Sequence, residues 1–225
     1  MSLLSDVVMS VSIANRHFVL RRLHSLFGLL PVGAFLAFHL WENSQSRFGA
    51  AYYNEHVVGA IARLNYLPVI ELVAIALPLL FHAGYGLVIL GAGHAEPLRY
   101  PWLRNRLYWL QRVSGVGLLL FLLLHVGMTR IAAMVDPAIG DDLFGHMRMA
   151  LSQPAVLALY LAGLWLAVFH LGNGLSTAAI AWGLTTSAAA QRRFARVCVA
   201  VGLVLGAIGT HGLTGFLTAP AGGAS

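Results

Sequence analysis

Five stretches of predominantly apolar residues recur along the chain, and they constrain its fold more than any other feature. Each is about 20 residues long, which is the length that an α-helix needs to cross the hydrocarbon core of a bilayer. The sequence therefore predicts an all-α membrane protein with five transmembrane helices. We place the helices at about 23–41, 67–90, 113–134, 154–182 and 194–217.

The composition agrees with one membrane domain over 1–225. Only 10% of the residues are charged and 59% are hydrophobic, whereas soluble domains have roughly a quarter of their residues charged. The first 15 residues lack a small-residue cleavage site, so we expect no signal peptide. The single cysteine, Cys198, has no partner for an internal disulfide and is expected to pack in the last helix. Pro31 and Pro78 lie inside helices and should kink them.

The arginines predict the orientation in the membrane. All 14 basic residues are arginine, and they divide unequally between the two sides. One side carries Arg16, Arg21, Arg22, Arg99, Arg104, Arg106, Arg112, Arg192, Arg193 and Arg196, and the other only Arg47, Arg63, Arg130 and Arg148. The positive-inside rule then puts the N-terminus in the cytoplasm and the C-terminus outside. Because the arginines lie between the spans, topology explains the basic charge and we expect no nucleic acid partner.

Ten histidines are many for so apolar a chain. Five lie near or beyond the predicted helix ends: His17, His24, His56, His94 and His146. The other five lie within them: His39, His82, His125, His170 and His211. A polar ring in hydrocarbon is costly without a partner, so each of these five is a functional candidate. A single one would most simply bond a neighbouring helix, but four on four successive helices suit haem ligation by pairs of histidines on facing helices.

Depth along the helices sorts these four histidines into pairs. At 1.5 Å per residue, His39 and His125 lie roughly 20–25 Å from the cytoplasmic ends of their helices. His82 and His170 lie roughly 22–24 Å from the outer ends of theirs. We call His82 and His170 the inner pair and His39 and His125 the outer pair. Two pairs predict two haems stacked across the membrane, so we expect the first four helices to form a haem-binding bundle. His211 is left without a partner at its depth.

Several small residues admit two interpretations. Gly202 and Gly206 have the GxxxG spacing of a close helix-packing face, although glycine is also simply tolerated in membrane helices. Glycines that follow the histidines would give clearance to a flat macrocycle, or reflect ordinary small-residue packing; they are Gly84, Gly86, Gly127, Gly172 and Gly174.

Polar residues at the helix ends are candidates for the haem propionates. Arg22, His24, Ser25 and Arg112 lie at the cytoplasmic ends, with Arg21 and Gln111 beside them. Arg130, five residues past His125, is available to the outer haem. For each arginine, anchoring at the membrane interface is the alternative interpretation.

Taken together, these residues resemble those of the single-subunit, di-haem cytochrome b membrane anchors of succinate dehydrogenases (succinate:quinone oxidoreductases). The resemblance covers nearly the whole chain in order. The matching stretches are 21–26 (RRLHSL), 38–40 (FHL), 81–86 (FHAGYG), 110–116 (LQRVSGV), 124–126 (LHV), 129–133 (TRIAA), 169–175 (FHLGNGL) and 181–185 (AWGLT).

The resemblance implies the cofactors, the partners and the location. The four axial ligands of two b haems fall on His39, His82, His125 and His170, with the second and fourth helices holding the inner haem and the first and third the outer one. A flavoprotein and an iron–sulfur subunit are expected on the cytoplasmic face of a bacterial inner membrane. The chain would pass their electrons through haem to a quinone; with no flavin motif or cysteine cluster, it would not act on succinate itself.

The direction and the quinone site are less constrained. A transmembrane glutamate that some fumarate reductases use has no counterpart before Phe169, which favours succinate oxidation. A quinone slot needs a hydrogen-bond donor for each carbonyl. An outer site would use Glu42, Asn43 or Glu71, whereas an inner site would use Arg22, His24, Ser25 or Tyr108.

Two classes of alternative remain. One is the anchor cytochrome b of another quinone-linked complex, such as fumarate reductase, nitrate reductase or hydrogenase; in the nitrate reductase type only two helices supply the four ligands, whereas here four do. The other is a transporter or non-redox scaffold whose histidines relay protons, and it predicts no haem.

Overall fold

The computed structural model describes residues 2–93, 96 and 98–219, and in this part of the chain all regular structure is helical. His94 lies outside the described residues. The α-helices are Ser2–Leu29, Pro31–Ser44, Ala50–Tyr52, Gly59–Ala62, Leu67–Ile70, Leu77–Ala92, Leu103–Val126, Ala132–Val135, Pro137–Asp141, Leu143–Leu151, Pro154–Ala181 and Ala188–Thr218. Gln45–Phe48 is a 3₁₀ helix, and Tyr53–Val58, Glu71–Ala76 and Gly127–Ile131 are π-helical.

Among the described residues, five helical segments are long and apolar enough to cross a membrane, which confirms the predicted all-α membrane fold with five transmembrane helices. They are Asn15–Phe48, Leu67–Ala92, Leu103–Val135, Pro154–Ala181 and Ala188–Thr218, called here the first to fifth spans. The first and third extend several residues beyond the predicted apolar stretches. Hydropathy marks the part that fits in hydrocarbon, whereas the backbone hydrogen bonds continue into the polar interface.

The two internal prolines coincide with irregular helix. The first span is interrupted at Leu30, immediately before Pro31. In the second span a π-helical turn over Glu71–Ala76 precedes Pro78. Proline has no amide hydrogen to bond the preceding turn, and a wider turn accommodates that loss. A third π-helical turn, Gly127–Ile131, begins two residues after His125 in the third span.

The first four spans form a bundle, and the fifth packs on its outside. The first span contacts the second and the fourth, and the third contacts the fourth and, less closely, the second. The fifth span lies against the fourth and the first. This arrangement places the histidine-bearing faces of four different helices around one interior.

The fifth span packs through a row of glycines. Gly202, Gly206, Gly209, Gly212 and Gly215 are all buried. A Cβ at Gly212 would lie 2.8 Å from the carbonyl oxygen of Asn43, and one at Gly202 would lie 3.3 Å from that of Val168. The glycines therefore form a helix-packing face, which decides between the two interpretations of the GxxxG spacing. Cys198 is buried in the same helix, as predicted.

The loops on the arginine-poor side close that end of the bundle with a compact apolar core. Phe144, Leu151 and Phe216 are almost completely buried there, and Tyr53 and Tyr160 pack beside them. We call this core and the loops that form it the cap. Two of its short helices, Pro137–Asp141 and Leu143–Leu151, begin after aspartates whose carboxylates accept backbone N–H bonds, Asp136 from Ala138 and Asp142 from Gly145. Such N-caps satisfy amide groups that the helix leaves unpaired.

Candidate functional site

The bundle brings the four histidines together as two separate pairs. The ring centroids of His82 and His170 are 6.2 Å apart with the planes at 90°. Those of His39 and His125 are 5.7 Å apart with the planes at 74°. Each pair joins two different spans, and the members are those that the depth argument grouped. Their role as haem ligands remains a prediction.

In the inner pair, a backbone carbonyl fixes the orientation of His82. Its Nδ1 lies 2.8 Å from the carbonyl oxygen of His24 in the first span. A carbonyl can only accept, so Nδ1 carries the proton and the lone pair is on Nε2. Gly28 lies one helical turn after His24, and a Cβ there would overlap the His82 ring. The missing side chain at Gly28 therefore lets this ring reach the helix backbone.

The other ring of the inner pair is held by the third span. His170 Nδ1 lies 3.0 Å from the hydroxyl of Ser114, and that hydroxyl lies 3.0 Å from the carbonyl of Gln111, to which it donates. The Gln111 amide in turn donates to the His170 carbonyl at 3.1 Å. Asn173 donates to the Gln111 side-chain oxygen at 2.8 Å.

Aromatic and amide groups surround the outer pair. Tyr160, which is buried, places its hydroxyl 3.4 Å from His125 Nδ1. The amide nitrogen of Asn43 lies 3.3 Å from both ring nitrogens of His39. Tyr53 donates to the Asn43 oxygen at 3.1 Å. Burial and the nearby Glu42 carboxylate raise the pKa of Tyr53, so its hydroxyl stays protonated and remains a donor.

The residues present fit haem iron. A metal ion bound at about 2 Å by one nitrogen from each ring would separate the ring centroids by roughly 6 Å, close to both observed distances. Among the residues that the structure describes, no three or more metal-ligating side chains gather in one place. Each pair therefore offers two protein ligands, which is the number that a macrocycle leaves open on its iron. Imidazole is also a suitable ligand for iron.

The predicted propionate contacts at the arginine-rich end divide into two kinds. His24 stacks on His82, with ring centroids 4.1 Å apart, and its Nδ1 is buried without a hydrogen-bond partner in the described chain. The other three already have partners. Arg22 donates to the carbonyl of Ala181, Ser25 accepts from Trp182 at 3.3 Å, and Arg112 bonds carbonyls at the end of the second span, including that of Gly93 at 2.7 Å.

At the arginine-poor end, two predicted residues meet each other. Arg130 forms an ion pair of 2.7 Å with Glu71, so the propionate candidate and one quinone candidate belong to one contact between the third and second spans. Glu42 is buried in the first span, three residues after His39 of the outer pair. Asn43 is engaged with His39 and Tyr53, as described above. These residues belong to two separate contacts, Arg130 with Glu71 and Asn43 with His39 and Tyr53.

The remaining described histidines have local roles. His211 accepts from Arg47 at 3.0 Å, and His146 donates to the carbonyl of Met128 at 2.9 Å. His17 lies 3.2 Å from the hydroxyl of Tyr85, and His56 stacks on Tyr52. The partner for His211, which is exposed, is thus an arginine at the end of the first span and not a second histidine.

Sequence reasoning did not assign roles to Gly28, Ser114, Gly115 or Tyr160. A Cβ at Gly115 would lie 3.1 Å from His170 Cε1, so Gly28 and Gly115 give clearance to the inner rings. The glycines expected to give clearance to a macrocycle differ in their surroundings: Gly172 packs against the Cys198 carbonyl, whereas a Cβ at Gly84 or Gly127 would meet nothing within 4 Å. Clearance for a haem at these positions stays a prediction. The spacing from a histidine within one helix carries no signal for a contact made by the opposite helix.

The fold and the paired histidines define a class: a multi-pass, all-helical membrane protein with two pairs of histidines inside a helix bundle. A family model described as succinate dehydrogenase/fumarate reductase transmembrane subunit matches residues 93–209. The chain is also 36% identical over 203 residues to the succinate dehydrogenase cytochrome b558 subunit of Bacillus subtilis (strain 168), covering 90% of this chain and 98% of that relative. No solved structure matches the chain. The chain belongs to the succinate dehydrogenase/fumarate reductase transmembrane subunit family.

Proposed function

We propose that this chain is the membrane-anchor cytochrome b of a succinate dehydrogenase, passing electrons from an iron–sulfur subunit through two b haems to a membrane quinone. The observation that carries the proposal is the pair of bis-histidine sites, built from four different spans at two depths. The name of the Bacillus subtilis relative supports the cytochrome and the complex. Haem supplies reversible one-electron transfer when it is bound.

The ligands of the proposed haems are His82 with His170 and His39 with His125. In the inner pair both Nδ1 atoms have acceptors, the His24 carbonyl and the Ser114 hydroxyl. Both Nε2 atoms then keep their lone pairs, which is the state that a metal-binding imidazole requires. A hydrogen bond from the other ring nitrogen also sets the direction in which each ring points.

For the propionates we propose His24 first at the inner site, because its buried Nδ1 lacks a partner among the described residues. Arg22, Ser25 and Arg112 contribute from the same end. A guanidinium has five N–H donors, so the carbonyls that Arg22 and Arg112 already bind leave further donors on each. Arg130 serves the outer site, where its ion pair with Glu71 fixes its position.

We place the quinone at the arginine-poor end, with Glu42, Asn43 and Glu71 as the candidate polar contacts. Glu42 and Asn43 lie on the helix turn that follows His39. Glu71 lies in the second span and forms an ion pair with Arg130, which follows His125 in the third. Glu42 is buried, which suits a group that exchanges protons with a bound quinol rather than with bulk water. We propose turnover in the direction of succinate oxidation, in line with the name of the relative.

The partner subunits are proposed to dock on the arginine-rich face, which the positive-inside rule assigns to the cytoplasm. These subunits are a flavoprotein, which oxidises succinate, and an iron–sulfur protein, which carries the electrons to this chain. The anchor supplies no group for succinate chemistry in this division of labour. The inner pair lies toward the same face and would be the nearer acceptor.

Optical difference spectra of the purified chain test the haem proposal. We expect a reduced-minus-oxidised spectrum with a b-type α-band, and loss of about half of it in His82→Ala and in His125→Ala, since each removes a ligand of one haem. His56→Ala is the matched control, because His56 stacks on Tyr52 and belongs to neither pair. A wild-type chain without the band, or ligand variants that keep all of it, would show that the assignment is wrong.

Affinity purification from the native host tests the proposed partners. A tagged chain should bring down a flavoprotein and an iron–sulfur protein in equal amounts, and the complex should reduce a quinone analogue on addition of succinate. His56→Ala should behave like the wild type here too. Recovery of the chain alone, under detergent conditions that preserve its haem, would contradict the proposed complex.

A further inference from the structure

Ser114 is a buried hydroxyl in a span that has little else buried. The residue is 1% exposed, and it is the only buried residue of the Leu103–Val126 helix. A hydroxyl removed from water must find hydrogen-bond partners inside the protein. It has two described partners, the carbonyl of Gln111 and the ring of His170, both at 3.0 Å.

The direction of these two bonds follows from the groups involved. The Gln111 carbonyl can only accept, so the single hydroxyl proton of Ser114 points to it. The Ser114 oxygen then accepts from His170, and Nδ1 must be the protonated nitrogen of that ring. The lone pair of His170 is therefore on Nε2. A serine that bonded elsewhere would leave this tautomer undetermined.

The same turn of the third span holds His170 at two further points. The Gln111 amide donates to the His170 carbonyl at 3.1 Å, which ties the fourth-span backbone to the third. Gly115 faces the His170 ring so closely that a Cβ there would be 3.1 Å from Cε1. The His170 ring is thus confined between the hydroxyl of Ser114 and the backbone of Gly115.

We propose that Ser114 is a positioning residue for the inner haem site: it fixes the tautomer and the rotation of His170, together with Gln111, which anchors the backbone of that histidine. This rests on the proposed function, since it concerns a ligand of a proposed haem. Groups that hold the second nitrogen of a metal-bound histidine typically contribute about 10–100-fold to metal affinity. Ser114 therefore affects the inner haem without touching it.

The test compares three variants of the purified chain. Ser114→Ala removes the acceptor and leaves a buried N–H without a partner; Ser114→Thr keeps the hydroxyl; Thr177→Ala removes a hydroxyl of the fourth span that bonds main-chain carbonyls only. The measurements are haem content, the rate of haem transfer to excess apomyoglobin, and the low-spin electron paramagnetic resonance spectrum.

In Ser114→Ala we expect one of the two haems to transfer about tenfold faster or more, with a shifted resonance signal for that haem alone. Ser114→Thr should restore both properties, and Thr177→Ala should match the wild type. A Ser114→Ala protein with both haems unchanged would overturn the inference while leaving the haem proposal intact. If the wild-type chain bound no haem, or if His170→Ala kept both haems, the proposed function itself would fail and the inference with it.

Discussion

At the scale of the residue, the inner site depends on side chains that are absent as much as on those present. His82 reaches the His24 carbonyl only because Gly28 has no Cβ, and the His170 ring fits because Gly115 has none. Both glycines are on spans opposite the histidine they accommodate. The geometry of the histidine pair is therefore a property of helix pairs and not of any single helix.

Gly28→Ala is the sharpest test of this arrangement. The added methyl group would overlap the His82 ring, so the ring must leave its carbonyl, and we expect loss of about half of the bound haem. Gly91→Ala is the matched control, since Gly91 lies in the same span as His82 and a Cβ there meets nothing within 4 Å. Pyridine haemochrome assay of both purified variants measures the difference; equal haem in the two would contradict the role of Gly28.

The sequence predicts the paired histidines of this site better than it predicts the residues that contact them. The pairing of His82 with His170 could be worked out from depth alone, because a helix converts residue number into distance. Ser114 and Tyr160 could not be found this way. Each acts on a histidine of another span, and the rotation of one helix about its axis relative to the next depends on packing that no single stretch of sequence contains.

At the scale of the element, the fifth span is a helix whose packing face consists of glycine. It approaches the first and fourth spans so closely that the backbones leave little or no room for a Cβ at Gly202 and Gly212. Close backbone contact is how membrane helices associate when burial of apolar surface from water contributes nothing. The GxxxG spacing of the sequence predicts the face but not the two spans that it meets.

Gly212→Ala should destabilise the bundle, because its Cβ would press on the backbone of Asn43 and Ser44 instead of on a movable side chain. We expect a loss of about 1–3 kcal/mol, the usual cost of overpacking, measured as a lower unfolding midpoint in detergent. Gly91→Ala is the control, since a Cβ there meets nothing within 4 Å. Its midpoint should be unchanged or slightly higher; equal midpoints for the two variants would exclude the packing role.

At the scale of the whole molecule, hydropathy and charge predict the number and order of the spans. The helix ends are instead set by backbone hydrogen bonds, which continue beyond the apolar stretches. The polar ends of the first and third spans are helical beyond the apolar stretch. The cap on the arginine-poor side, with Phe144, Leu151 and Phe216 at its centre, was not visible in the sequence. Its residues come from two loops, the start of the fourth span and the end of the fifth, far apart in the chain.

The proposed orientation can be checked with single cysteines on opposite sides. Gln153 and Thr186 are both exposed and lie just before and some residues after the fourth span. With the N-terminus in the cytoplasm, Gln153→Cys should react with a membrane-impermeant maleimide in intact spheroplasts, and Thr186→Cys only after lysis. The wild type, whose Cys198 is buried, serves as the unlabelled control. The reverse pattern would invert the topology.

The His24 carbonyl has a consequence for how this protein can vary. A main-chain acceptor is present whatever residue occupies position 24, so no side-chain replacement there can delete the bond to His82. The acceptor for His170 is a side chain and can be exchanged by a single codon change at Ser114. A point mutation can therefore change the hydrogen-bond acceptor of His170 but cannot remove that of His82. Because the acceptor of His82 is part of the backbone of the first span, any tilt of that span is transmitted directly to His82.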